Sequence, residues 1–339
     1  MPLSICAQEK SSLKDCITYG LKNNRSHTVY ENQKKIAEAE AKEALSAYLP
    51  SISVTGSLDN NLKLQESVIP AGLFGPDPLK VSFTQKFNAT GTAQLDQTIY
   101  DQSLLTGLKA NKYNKQQAEL NQQQNDETII YNISTAYYQI FVYREQLSIL
   151  KTNLETYRRQ MDISRLQVKK GTALEMDLDR VTVNYNNTVS QITAAEGNLK
   201  FSENQLKNAM GFPLSDPLVI DSLENDLPAL QNSDIFQLNN RTDYRLSAVN
   251  EKLLEIDQKR ISAGILPKLT AYARYGSVGF GNTLGPAFSD SSPFSAVGMK
   301  LSIPIFDFFK RNAQYNQAKY KHLNALENLK LDEDKYRME

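Results

Sequence analysis

The residues that most often do chemistry are few in this chain and poorly spaced for it. Its two histidines, His27 and His322, have no cysteine or histidine companions at metal-ligand spacing, and its two cysteines, Cys6 and Cys16, are too few for a disulfide framework. A redox or zinc centre is not expected. Asp177 and Asp179 sit two apart in a helical pattern, which sends the carboxylates to different faces and leaves them to solvent. Cys16 shares a stripe with Leu13, Ile17, Gly20 and Leu21, the placement of a packed thiol. Arg274 and Lys300 alternate with apolar residues and belong to the polar side of strands, where they would tune passage along a lumen or simply hydrate its wall. No catalytic constellation and no cofactor or metal site emerges, so the chain does not read as an enzyme.

Charge narrows the partners. The 38 basic and 38 acidic residues cancel, which argues against a nucleic-acid surface. Mean hydropathy is −0.47, and no apolar run approaches the roughly 18 residues of a spanning helix. The opening MPLSICAQEK reads as the tail of an export signal with Ala7-Gln8 as the cleavage point, so residues 1–7 are expected to be a signal-peptide remnant. Lipid attachment at Cys6 is the weaker reading, because Ile5 stands where a small residue is needed.

Two kinds of element must do the positioning. A helical run rich in Ala, Glu and Lys ends at Pro50, and strict alternation follows. Ile52, Val54, Gly56, Leu58, Leu62 and Leu64 take one side, and Ser53, Thr55, Ser57 and Asp59 the other, which predicts a strand over about 51–65. Val81, Phe83, Phe87, Ala89, Ala93, Leu95 and Ile99 mark a second, over about 80–99. The plan returns with strands over about 268–279 and 295–305, whose apolar faces carry Leu269, Ala271, Ala273 and Tyr275, then Val297, Met299, Leu301, Ile303 and Ile305. Leu49-Pro50 and Leu266-Pro267 open the two pairs; QTIYD (97–101) and IPIFD (303–307) close them. The chain is therefore an internal repeat: a first copy over 8–211, a linker over 212–242, and a second copy over 243–339. Pro50, Tyr100, Pro267 and Phe306 are the helix–strand junctions. Proline forces its predecessor out of helical geometry. The rings, with Tyr48, either mark a membrane interface or pack the corner.

Between the strand pairs, apolar residues step by four and three from Ile129 through Ile140, Leu147, Leu154 and Met161 to Val168. They resume from Leu174 through Val181, Ile192 and Leu199 to Ala209. This is a coiled-coil heptad, interrupted by KKGTALE (169–175). It predicts an antiparallel helical hairpin over 102–210 with its tip at Lys170-Gly171-Thr172. Gly171 suits a left-handed cap, the lysines suit the negative end of the helix dipole, and Thr172 with Glu175 has capping-box spacing. As one helix, Leu104 to Val168 would reach roughly 100 Å, so an elongated molecule is expected. The spacing between the two repeats, carried over to Gly171, lands beyond Glu339. A second hairpin is thus expected to be missing after its first stretch, a C-terminal truncation.

What covers the oily strand faces decides the class. The helices spend their stripes on each other, which leaves lipid, and strands meet lipid only in a closed barrel. Four strands are too few, since such barrels begin at about eight, so several chains must contribute. The ordered marks SSLKDCITYGLKNN, the two Leu-Pro strand starts, QTIYD, IPIFD, KKGTALEMDLDR and LKNAMGFP resemble those of the outer membrane efflux proteins, the TolC-like channels, over essentially the whole chain. The resemblance implies a mainly α fold with membrane β: a homotrimer whose strands form one outer-membrane β-barrel and whose helical hairpins form a periplasmic α-barrel. It also implies a passive exit duct for efflux or type I secretion, set in the outer-membrane lipid of a Gram-negative cell. The tip Lys170-Gly171-Thr172 would dock a periplasmic adaptor (membrane fusion) protein, which joins an inner-membrane RND or ABC transporter. The family's tips commonly carry Val-Gly-Leu, of which only the glycine stands here. The competing reading is a structural coiled-coil or adhesive scaffold without a channel.

Overall fold

The computed structural model describes residues 11–72, 75–77, 79–82, 84–221 and 237–338. The signal remnant with Cys6, residues 222–236 of the linker, and Phe83 lie outside them. The chain divides into two units, one of Met1–Lys35 with Ala118–Arg245 and the other of Ile36–Gln117 with Leu246–Glu339.

The first unit is helical. Helix α1 (Leu13–Asn23) begins with a capping box that periodicity alone does not reveal. The Ser12 hydroxyl accepts from the Asp15 N–H, and the Asp15 carboxylate accepts from the Ser12 N–H. Its apolar stripe seals the root of a hairpin made by α4 (Ala110–Lys169) and α5 (Glu175–Met210). Cys16, Ile133, Ile140, Leu206 and Met210 are buried there, with Leu13, Ile17 and Leu21 packed against them. Burial pushes the Cys16 thiol up to about 11, helped by the charge of Asp15. Gly20 lets α1 lie close, because a Cβ in its place would stand 2.3 Å from the Ile133 side chain.

Beyond the root, α4 and α5 meet along the heptad seam. Leu147, Leu150, Leu154, Tyr157, Met161 and Val168 are half-buried, as are Leu178, Val181, Tyr185, Ile192 and Leu199, and Ala195 is fully buried. The residues between them on α4 face water, except Ser164, which is half-buried in the seam. Two ion pairs, Arg144–Glu203 (3.9 Å) and Lys151–Glu196 (4.0 Å), fix the antiparallel register: seven residues forward on α4 match seven back on α5. Helix α5 closes at Gly211 (φ +70°) in a Schellman turn, with Phe212 N–H on Lys207 O and Gly211 N–H on Asn208 O. The buried Lys207 ammonium then donates to the carbonyls of Leu214 and Asp216, pinning the chain that leaves the hairpin.

Helix α2 (Arg25–Ser46) begins in the first unit and ends in the second, where it runs through a short turn and Pro50 into β1 (Ser51–Asn60). β1 pairs with β4 (Phe87–Tyr100), β4 with β5 (Lys268–Gly281), and β5 with β6 (Ser291–Ser302), all antiparallel. Two of the expected strands are shorter than their alternation. β1 stops at Asn60 instead of continuing to residue 65, because Asn61 turns its side-chain amide onto the Gln85 carbonyl and the chains then diverge. Leu62 consequently stands open and off the ladder. The run expected as 80–99 is two strands: β3 (Leu79–Val81), which pairs with β2 (Ser67–Ile69) in a separate hairpin, and β4. β6 ends at Ser302 instead of residue 305, since Pro304 has no N–H to give the ladder. At its other end β6 begins at Ser291, four residues before the expected start, and β5 runs two residues past its expected end.

Helix α3 (Gln102–Leu108) follows β4 directly and is separated from α4 only by Lys109. α6 (Thr242–Ala263) leads to β5, α7 (Leu284–Ser289) links β5 to β6, and α8 (Lys310–Met338) ends the described chain. α8 lies along α6, tied by His322 Nε2 to Glu251 (2.9 Å) and His322 Nδ1 to Gln258 (3.0 Å).

Candidate functional site

Register sorts the sheet into two chemically distinct faces. Partners across the ladder share a face, so the rows Val54–Ala93–Tyr275–Ser295, Ile52–Leu95–Ala273–Val297 and Ala271–Met299 run across one side. Several of these side chains are bare: Val297 is 86% exposed, Val54 79% and Ile52 75%. The other face carries Ser53, Thr55, Thr92, Gln94, Asp96 and Thr270. Arg274 stands on this polar face opposite Gln94 and Ala296, and Lys300 opposite Thr270. They share a face but not a row, so they form no cluster.

The polar face is smoothed by two reciprocal pairs that alternation did not reveal. Tyr272 lies over Gly298, its cross-strand partner, where a Cβ would sit 2.6 Å from the phenol oxygen. Phe294 lies over Gly276 in the same manner, 2.6 Å from where a Cβ would be. Each glycine thereby receives an aromatic ring from the neighbouring strand, a pairing that covers backbone and pins register. Periodicity registers only that a glycine is small, so this signal was legible only once the strands were aligned.

The junctions differ in how they turn. Tyr48 latches the first: its carbonyl accepts from the Gln97 side chain (2.7 Å), and its hydroxyl donates to the Ile99 carbonyl (3.2 Å). Beyond Tyr100, Asp101 caps α3 through the Leu104 N–H (3.0 Å) and pairs with Lys268 (3.2 Å), the residue after Pro267. The Tyr100 and Pro267 junctions therefore meet. Burial pushes the Asp101 carboxyl up, but the Leu104 N–H and the Lys268 ammonium outweigh it and hold it below its ordinary range. Phe306 stands apart in a cluster with Phe308 and Phe309, ring centroids 4.8 and 6.2 Å away. Phe308 (φ 49°) and Phe309 (φ 65°) are both left-handed, a conformation costly for a bulky side chain.

The hairpin tip belongs to the other unit. Gly171 takes the left-handed cap (φ +73°), with Thr172 N–H on Gln167 O and Gly171 N–H on Val168 O. The expected capping box does not form. The Thr172 hydroxyl instead donates back to the Gln167 carbonyl (3.1 Å), finishing α4, and Leu174 is the N-cap of α5 without a side-chain bond. Thr172 stands two residues before the N-cap position, Leu174, and so does not cap the next helix. Lys170, Gly171 and Thr172 are all exposed.

Asp177 and Asp179 are exposed on α5. Among the described residues no group of His, Cys, Asp and Glu could hold a metal ion, and no helix is long and apolar enough to cross a membrane.

These features have counterparts in known proteins. The profile of the outer membrane efflux protein family matches residues 20–212. TolC of Escherichia coli is 26% identical over 254 residues, covering 71% of this chain and 52% of that protein. The TolC of Salmonella enteritidis is 23% identical over 248 residues, so the chain spans about half the length of the curated relatives it matches. Among solved structures, the Campylobacter jejuni CmeC outer membrane channel superposes with a TM-score of 0.73 at 18% identity, covering 94% of this chain and 66% of that one. CusC does so with a TM-score of 0.72 at 17% identity, covering 99% of this chain and 78% of that one. The fold is thus shared with outer-membrane channels, and since the matched span runs from the end of α1 through the closing turn of the hairpin, the chain belongs to the outer membrane efflux protein family.

Proposed function

We propose that this chain is one wall segment of a passive export duct across the outer membrane and periplasm, without enzymatic activity. One observation carries the reading: a sheet with an uncovered apolar face on one side and a polar face on the other, edged by β1 and β6. Such a sheet satisfies its edge groups in lipid only by closing into a barrel. Four strands are too few to close. Three copies, with β6 of each paired to β1 of the next, give twelve strands with the bare rows outward and Arg274 and Lys300 inward.

The hairpin supports the same assembly. Besides its seam it carries a second, exposed apolar line in steps of seven or fourteen residues, Val142, Ile149 and Ile163 on α4, with Met176 and Val183 on α5. These are the faces that neighbouring hairpins would cover to form a periplasmic tunnel. The tip Lys170-Gly171-Thr172 is the proposed docking point for a periplasmic adaptor, itself joined to an inner-membrane RND or ABC transporter.

The reading is tested by membrane fractionation. The duct needs detergent for extraction, migrates as a trimer and conducts ions in planar bilayers. A chain that is soluble and monomeric without detergent would instead be the coiled-coil scaffold. Lys170→Glu should lower export in cells while the detergent-extracted trimer still forms, and undiminished export would remove the tip from adaptor docking.

A further inference from the structure

The loop between β5 and β6 folds onto the apolar face of the sheet. Gly279 shares its row with Leu58, Ala89 and Ser291, and a Cβ on Gly279 would stand 2.0 Å from the Ala287 carbonyl oxygen. A Cβ on Gly281 would stand 2.6 Å from the Ala287 N. Ala287 is fully buried, while Leu284 and Phe288 on the same short helix are exposed. α7 thus rests by its backbone on a pad of small residues, and it sits on the side of the sheet that faces lipid in the reading above, on which this inference rests.

Length explains why a pad is there. From Leu269 to Tyr275 the bare rows of β5 rise about 20 Å along the strand, or about 15 Å along the membrane normal at a 40° tilt. The apolar band of such barrels is about 25 Å tall. The rows beyond Tyr275 are Gly56–Gly91–Ser277–Pro293 and Leu58–Ala89–Gly279–Ser291, in which Leu58 on β1 is the one large apolar side chain and the β5 positions offer little apolar surface. Leu284 and Phe288, exposed on α7, supply it in their place. Helix α7 holds no charged residue and its loop only Asp290, whereas the longer corresponding loop between β1 and β4 carries Lys63, Glu66, Asp77, Lys80 and Lys86. The first loop is built for water and the second for an oily surface.

We propose that α7 is the outer rim of the lipid-facing wall, meeting the acyl chains of the outer leaflet through Leu284 and Phe288. The open groove of about 430 Å³ beside it, lined chiefly by Leu58, Ala89, Ala287 and Phe288 together with Ser277 and Ser291, takes the side of an acyl chain. Uncharged apolar side chains at the edge of an exposed apolar band fit the headgroup–acyl boundary of a bilayer.

The chain has no tryptophan, so one introduced indole reports alone. Phe288→Trp and Val297→Trp are made singly in the full chain and reconstituted in phosphatidylcholine brominated either near the headgroup or near the chain ends. The Phe288→Trp protein should lose about half its emission with the shallow bromines and less with the deep ones, and the Val297→Trp protein the reverse. Adding Gly279→Val to the Phe288→Trp chain should lift α7 and weaken the shallow quenching. If the Val297→Trp protein is quenched by bromine while the Phe288→Trp protein answers only to aqueous iodide, α7 lies in water and the proposal falls with the barrel intact. If the Phe288→Trp protein is shielded from bromine and iodide alike, a second copy covers α7 and the proposal also falls. If the Val297→Trp protein is itself untouched by bromine, the membrane reading fails and takes this one with it. Should Phe288→Trp not assemble, Leu284→Trp carries the same test.

Discussion

The root of the hairpin and the outer face of the sheet use the same apolar side chains and treat them oppositely. Ile133, Ile140 and Leu206 are sealed, because α1 of the same chain lies across them. Ile52, Val54, Tyr275, Val297, Met299 and Leu301 have no such cover. Burying a side chain of this kind contributes about 1.5–3 kcal/mol. The six together leave on the order of 10 kcal/mol unrealised in a single copy, as much as the whole stability of an ordinary domain. Apolar residues therefore do not by themselves mark a core. A core exists where the chain also supplies the lid, and where it does not, another chain or lipid has to supply it.

The sharpest way to break this contrast is to damage each region in turn. Ile133→Ala empties a closed site and should cost about 2–5 kcal/mol, read as a lowered urea midpoint of the helical signal. A shift below about 1 kcal/mol would mean that α1 does not seal the root. Val54→Arg attacks the bare face and should cost about 2–4 kcal/mol if the residue lies near the bilayer midplane. The readout is the fraction of chain recovered as membrane-inserted trimer, and Thr55→Arg, one residue along on the polar face, should leave it nearly unchanged. Equal losses at both positions would mean the faces are exchanged.

The smallest expected effect lies on α6, beside the sheet, where stability rests on surface charge. Lys259 and Lys252 hold the Glu255 carboxyl at about 2, well under its ordinary 4.5. A carboxylate whose pKa is lowered on folding stabilises the protein above its unfolded value, and that contribution fades as pH falls from about 4.5 towards 2. Because both lysines are exposed, solvent screens the pairs and the effect is small. Wild type and Glu255→Gln should therefore differ slightly in thermal midpoint at about pH 6 and converge by about pH 2. A difference that widens on acidification would contradict the pairing.

Much of this contrast was legible in the letters. The heptad from Tyr143 to Val168 and from Leu178 to Ala209 names the half-buried and buried seam, because a helix repeats its faces whatever surrounds it. The two strand faces follow from alternation for the same reason, and Gly171 was recognisable as a left-handed cap. Strand ends were not legible. They depend on single events, the Asn61 side chain reaching Gln85 and the missing N–H of Pro304, that interrupt a ladder while the alternation continues. Thr172 satisfied the spacing of a capping box and was claimed by the preceding helix instead. The glycine-and-aromatic pairs and the seat of α7 were hidden for another reason. Each is a contact between a side chain or helix and a bare backbone, and glycine announces the space without naming the occupant.

The two left-handed phenylalanines have a mechanical consequence. At the first exit a single residue, the capped and ion-paired Asp101, separates β4 from α3, so strand and helix form one stiff member. At the second exit the stretch from Ile303 to Phe309 intervenes, and Phe308 and Phe309 hold it in a conformation that costs about 1–2 kcal/mol for each. A twist applied along α3 is delivered to β4 undiminished, whereas the same twist along α8 is first absorbed by a preloaded spring before β6 feels it. Although the repeats are alike in sequence, the first strand pair thus leaves through a rigid strut and the second through a compliant one, and any load borne by the helices reaches the sheet unevenly.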